Sequence, residues 1–166
     1  NIPILILTKG LAINNNNYEV LAHKLERILK KSGVKDTNIS AVGGPCLAGA
    51  LANRTHTSVV FANPDIKVVN KIRKLVSTDY YHVFTSDDLI GVEICAAIKN
   101  IFAMAIGSSK DLNTAAALFQ QSITEMIIVT EKLNGKKEST LGLAGVGDLY
   151  VSVQGGRNSK MGHYLG

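Results

Sequence analysis

Thr85-Ser86-Asp87-Asp88-Leu89-Ile90-Gly91-Val92-Glu93-Ile94-Cys95-Ala96-Ala97-Ile98-Lys99-Asn100 is where the chain changes character. Ser86-Asp87-Asp88 reads as a helix start, with acidic groups where the helix dipole favours them. From Leu89 to Ile106 the residues are apolar on nearly every side, which is the pattern of a buried helix. Lys99 and Asn100 interrupt it, and both are costly in such a place unless paired or lining a wet cavity. Three of the positions one turn from Lys99 are small (Cys95, Ala96 and Ala103), which leaves room beside the ammonium. Two readings follow. Lys99 either snorkels from a half-exposed helix, or it is a desolvated general acid with a lowered pKa in a cleft.

Upstream of Thr85, short β-branched runs (Ile4–Leu7, Ile39–Val42, Ser58–Ala62 and His82–Thr85) alternate with amphipathic stretches at Tyr18–Lys31 and Asp65–Val76. Strands alternating with helices predict an α/β layer with a largely parallel sheet. Asn14 to Asn17 reads as a polar loop. Downstream, Thr114–Leu133 predicts a second long helix ending at Asn134-Gly135. The expected organisation is residues 1–86 as the C-terminal part of a Rossmann-like parallel sheet and residues 87–166 as an all-α substrate domain. The opening Asn1-Ile2-Pro3 has no initiator Met and no charged leader. It and the stop inside a starting helix both read as cuts in a longer protein.

Net charge narrows the partners. The excess of +5 suits a nucleic acid, a membrane surface or a phosphorylated ligand. The densest basic stretch, Lys24 to Lys35, reads as the wet face and C-terminal end of a helix, without interleaved aromatic stacking platforms, which argues against nucleic acid. Glu93, Lys99 and Asn100 break the longest apolar run, so a membrane span is not expected. The histidines lack ligand spacing, and no metal site is expected. Cys46 and Cys95 read as buried free thiols in a reducing cytosol.

Three further segments carry candidate chemistry. Thr8-Lys9-Gly10 and Gly43-Gly44-Pro45 follow strands, where ligands gather in open α/β sheets. Gly155-Gly156-Arg157-Asn158 offers flexible backbone, a guanidinium fork suited to phosphate and an amide; it also fits a surface turn with a helix cap. The glycine-rich run Gly142 to Asp148 does not match GxGxxG and is not read as a dinucleotide loop.

Thr8-Lys9-Gly10, Gly44-Pro45-Cys46-Leu47-Ala48, Thr85 to Glu93, Ala97-Ile98-Lys99-Asn100-Ile101 and Gly145-Val146-Gly147-Asp148-Leu149, in this order, resemble the motifs of NAD(P)-dependent glycerol-3-phosphate dehydrogenase. The resemblance spans nearly the whole chain. It implies interconversion of dihydroxyacetone phosphate and sn-glycerol 3-phosphate with NAD or NADP, in the cytoplasm, feeding glycerophospholipid synthesis. It implies Lys99 as proton donor and acceptor. It implies Lys9, Gly44, Cys46, Asn100, Asp148, Gly156, Arg157 and Asn158 at the substrate, and Lys9, Ala48 and Arg157 at the cofactor. A homodimer is compatible with it. Gly156 falls where bacterial members often carry Ser, so only its backbone N–H is expected to serve, and Ala50 stands where many members have an acid. The family's GxGxxG loop has no counterpart here. The competing readings are a noncatalytic phosphometabolite-binding fragment and a related hydroxyacid dehydrogenase.

Overall fold

The computed structural model describes residues 2–166; Asn1, and with it the first residue of the reading as an internal start, lies outside the described residues. Strand β1 (Ile4–Ile6) is followed by a hairpin of β2 (Leu11–Asn14) and β3 (Asn17–Val20), helix α1 (Leu21–Lys31) and strand β4 (Ile39–Gly43). Then come α2 (Ala48–Ala52), β5 (Thr57–Ala62), α3 (Ile66–Val76) and β6 (Tyr81–Ser86). The rest is helical: α4 (Leu89–Gly107), α5 (Leu112–Lys132), α6 (Lys137–Leu141), a π-helical turn at Leu143–Gly147, α7 (Asp148–Gly155) and α8 (Arg157–Leu165).

The α/β class with a following helical region is as the sequence predicts. The main sheet has the order β1-β4-β5-β6. β1 pairs with β4, and β5 with β6, in parallel. The central pair corrects the expectation of uniform direction, because β4 and β5 run antiparallel with Ala41 opposite Ala62. A parallel pairing needs a long crossover, usually a full helix across the sheet. The connection from Gly43 to Thr57 contains only the five-residue α2, which contributes no buried residue. The chain therefore returns beside the strand it left.

Two further differences are local. The expected helix Tyr18–Lys31 begins only at Leu21, because Asn17–Val20 pairs with Leu11–Asn14 as a hairpin. Asn15 and Asn16 take φ of 49° and 61° at its tip. Two consecutive left-handed residues make the turn that matches strand twist, and Asn tolerates it best after Gly. Secondly, Cys46 is exposed; of the two thiols only Cys95 is buried.

The sheet is covered unequally. On one face Val59, Phe61 and Val83 pack under Val68, Val69 and Ile72 of α3. On the other, Ile39, Ala41 and Ala62 join a larger core with Val92, Ile94, Cys95 and Ile98 of α4, Met126 of α5 and Leu149 of α7. α4 is thus the common element of sheet and helical layer. By length and apolar composition it could cross a membrane, yet it packs against β4, α5, α7 and α8. Its start is fixed by Asp88, which accepts from the Gly91 N–H (2.9 Å), the Lys136 N–H (2.8 Å) and the Ser139 hydroxyl (2.6 Å). One buried carboxylate so caps α4 and ties it to the α5–α6 junction.

Candidate functional site

The helical layer and the sheet meet where β1 and β4 end. Lys9 lies three residues beyond β1, and Gly44 immediately beyond β4. Gly44 has φ +116°, a conformation that favours glycine, and a Cβ there would stand a tight 3.2 Å from the Val59 Cα. The following Pro45 ring lies against Gly147 at the end of the π-helical turn, where a Cβ would stand 3.4 Å from the Pro45 Cδ. That contact sets the first residue of α7, Asp148, beside the strand ends.

Asp148 is buried and both of its carboxylate oxygens are taken. Lys99 Nζ donates to Oδ1. Lys9 Nζ donates to Oδ2 at 2.9 Å. The Lys99 side chain is 9 % exposed and that of Lys9 34 %. Of the two sequence readings of Lys99, the snorkelling one is excluded, because the ammonium is enclosed and paired. Burial pushes the Lys99 pKa down; Asp148 opposes this, and the positive charge of Lys9 assists it. The net direction is downward, toward easier release of the proton. Two ammonium groups share one carboxylate, so the cluster carries a net positive charge. Although Cys46 is exposed, partial desolvation raises the pKa of its thiol, with the charge of Lys9 lowering and that of Asp148 raising it. Cys46 therefore sits within the field of both charges, as a neutral thiol rather than a thiolate nucleophile.

The other predicted residues are distributed as follows. Asn100, next to Lys99, is exposed on α4, and Ala48 is exposed at the start of α2. Gly156 joins α7 to α8, and a Cβ there would stand 2.3 Å from the Ser152 carbonyl oxygen. Its N–H already donates to that oxygen (2.9 Å). Arg157 and Asn158 open α8, Arg157 exposed and Asn158 half-buried. Among the described residues neither side chain is tied by a hydrogen bond or ion pair, and no described contact joins them to Lys99.

Glu93, read in the sequence only as an interruption of an apolar run, is a buried carboxylate. It accepts from the Ala22 N–H at 3.1 and 3.3 Å. Burial raises its pKa to about 7, against lowering by the N–H groups of Ala22 and Leu21. An acid on an otherwise apolar helix was the available signal; its partner, 71 positions away, was not readable. Among the described residues no group of three or more His, Cys, Asp or Glu is gathered as metal ligands would be.

A family model described as the C-terminus of NAD-dependent glycerol-3-phosphate dehydrogenase matches residues 88–166. An NADP(+)-dependent glycerol-3-phosphate dehydrogenase of Archaeoglobus fulgidus is 33% identical over 98% of this chain and 50% of its own length. A glycerol-3-phosphate dehydrogenase of Clostridium tetani is 38% identical over 86% of this chain and 42% of its own. The crystal structure of glycerol-3-phosphate dehydrogenase from Coxiella burnetii superposes with a TM-score of 0.84 at 30% identity, covering 98% of this chain and 50% of that one. By these likenesses the chain falls with proteins described as nicotinamide-dependent dehydrogenases. Within that class, it belongs to the NAD(P)-dependent glycerol-3-phosphate dehydrogenase family. It spans about half the length of the curated relatives it matches.

Proposed function

We propose that this chain supplies the proton-transfer and substrate-binding part of an enzyme that interconverts dihydroxyacetone phosphate and sn-glycerol 3-phosphate with NAD or NADP, in the cytoplasm. Residues 1–86 form the cofactor-side part and residues 87–166 the substrate-side part. The observation that carries this reading is the buried Asp148 carboxylate shared by Lys99 and Lys9. A net positive, partly dehydrated cluster is suited to an anionic three-carbon substrate and to stabilising charge on a carbonyl oxygen.

Lys99 holds a proton at Nζ and, with its affinity lowered by burial, delivers it to the C2 oxygen as negative charge develops there. In the oxidative direction neutral Lys99 takes the hydroxyl proton. Asp148 orients both ammonium groups and keeps Lys99 from losing its proton prematurely. Lys9, Gly44, Cys46 and Asn100 complete the substrate set. Arg157 and Asn158 hold the phosphate, so that binding energy away from the reacting carbon is used for orientation; Gly156, whose N–H is taken by the Ser152 carbonyl, serves as the junction that presents them. Lys9 and Arg157 are cationic and Ala48 is small and exposed, a set that fits an anionic dinucleotide. That cofactor supplies the hydride when bound. The substrate is a small molecule; α4 serves as a core helix rather than a membrane span, and association into a homodimer belongs to the same reading.

The test is a titration of the chain with NADH and dihydroxyacetone phosphate, together and separately. Saturable binding of the phosphate compound, weakened in Arg157→Ala, supports the reading. Absence of binding to either compound refutes it.

A further inference from the structure

Helix α1 has no cap of its own. Val20 at its N-cap makes no side-chain hydrogen bond, and its first turn holds no acidic residue. The N–H groups of a helix start have no partner within the helix and need acceptors when buried, and Ala22 is 1 % exposed. The acceptor comes from another element. Both Glu93 carboxylate oxygens, on α4, receive the Ala22 N–H. Glu93 is itself 4 % exposed.

That link reaches toward the site. Val20, immediately before α1, lies opposite Leu11 in the hairpin register. Leu11 is two residues from Lys9. Between them Gly10 takes φ +150°, and its missing Cβ position is 3.8 Å from the Leu21 Cδ1, the first side chain of α1. The segment that presents Lys9 therefore rests on the helix end that Glu93 holds. Lys99, the other amine on Asp148, sits on the same helix as Glu93.

We infer that Glu93 is a positioning residue: by capping α1 from α4, it fixes the Lys9 segment to the helix that carries Lys99, so that both amines meet on Asp148. In the proposed reaction this would set the geometry of the paired ammonium groups; the inference rests on that reading for its catalytic meaning, but its test does not require turnover. A protonated or amide side chain keeps an acceptor oxygen, so Glu93→Gln preserves the link. Glu93→Met fills the space and removes it.

The experiment is amine acylation at fixed pH, with rates at Lys9, Lys99 and the exposed Lys110 resolved by mass spectrometry. Release of Lys9 from Asp148 in Glu93→Met should raise its rate relative to Lys110 by about fivefold, the scale of one lost hydrogen bond. Glu93→Gln should stay near the wild-type rate. An unchanged Lys9 rate in a folded Glu93→Met chain overturns the inference, as does Glu93→Gln behaving like Glu93→Met. Should Glu93→Met fail to fold, seen as all lysines reacting together, Glu93→Asp decides: withdrawn by one methylene, it should raise Lys9 alone, and no rise refutes the link. Phosphate-substrate binding, measured in parallel on the wild-type chain, reports separately on the proposed function.

Discussion

Lys99 and Lys9, 90 positions apart in sequence, donate to opposite oxygens of a single Asp148 carboxylate. Neither amine is placed by its own neighbours in sequence. α4 buries the first, the end of β1 presents the second, and the π-helical turn packed near Pro45 delivers the acid between them.

Asp148→Asn should therefore be severe. It leaves two ammonium groups facing each other with their counter-charge gone, one of them enclosed. Loss of one partner from a buried ion pair costs about 3–5 kcal/mol, discounted here because Lys9 is one-third exposed. Chemical denaturation should show a loss of at least ~2 kcal/mol. A wild-type midpoint would mean that the carboxylate is not the shared partner.

Replacing Lys9 separates binding from proton transfer. Lys9→Met should weaken glycerol 3-phosphate binding by roughly tenfold or more, as for removal of a charged hydrogen-bond donor. Lys99 would remain paired with Asp148, so the fold should survive. Calorimetric titration is the measurement, and unaltered affinity would remove Lys9 from the substrate set.

Glu93 gives a pH signature. Its folded pKa of about 7 lies above its ordinary value of 4.5. Between those values the folded chain holds a proton that the unfolded chain has lost. The stability associated with this proton is present below 4.5 and disappears as pH rises through 7. The full swing is on the order of 3 kcal/mol. Glu93→Gln cannot titrate, so its stability relative to wild type should grow between about pH 5 and about pH 8. A difference independent of pH would show that burial does not control this carboxyl.

Gly156 tests the junction that presents Arg157. In Gly156→Ala the new Cβ would meet the Ser152 carbonyl oxygen at 2.3 Å, a backbone atom with little freedom to move. Either α8 shifts or α7 opens, at a cost of about 1–3 kcal/mol. Thermal unfolding should register it, with phosphate binding weakened in parallel. A neutral substitution would show that the junction relaxes freely.

Much of this is legible in the sequence itself. A lysine amid Ile, Ala and Cys on a helical period marks a desolvated amine, and Lys99 is one. Ser86-Asp87-Asp88 marks a helix start, and Asp88 caps α4. What local pattern does not encode is pairing. The antiparallel β4–β5 contact depends on the short path between Gly43 and Thr57. The β2–β3 hairpin is hidden because Tyr18 and Val20 also fit the period of the helix that follows. The exposure of Cys46 and the Glu93–Ala22 bond depend on elements distant in sequence. Arg157 and Asn158 stand out in the sequence for their chemistry, a guanidinium and an amide after two glycines; among the described residues no contact joins them to the amine cluster.

The proton-transfer role of Lys99 is the central claim. Its most direct test is the rate of NADH-dependent reduction of dihydroxyacetone phosphate by the enzyme carrying Lys99→Met, measured beside its affinity for glycerol 3-phosphate. The account predicts a fall in kcat of about 10²–10⁴-fold, the range of a lost general acid, with affinity changed only a few-fold. Turnover within a few-fold of wild type would contradict it.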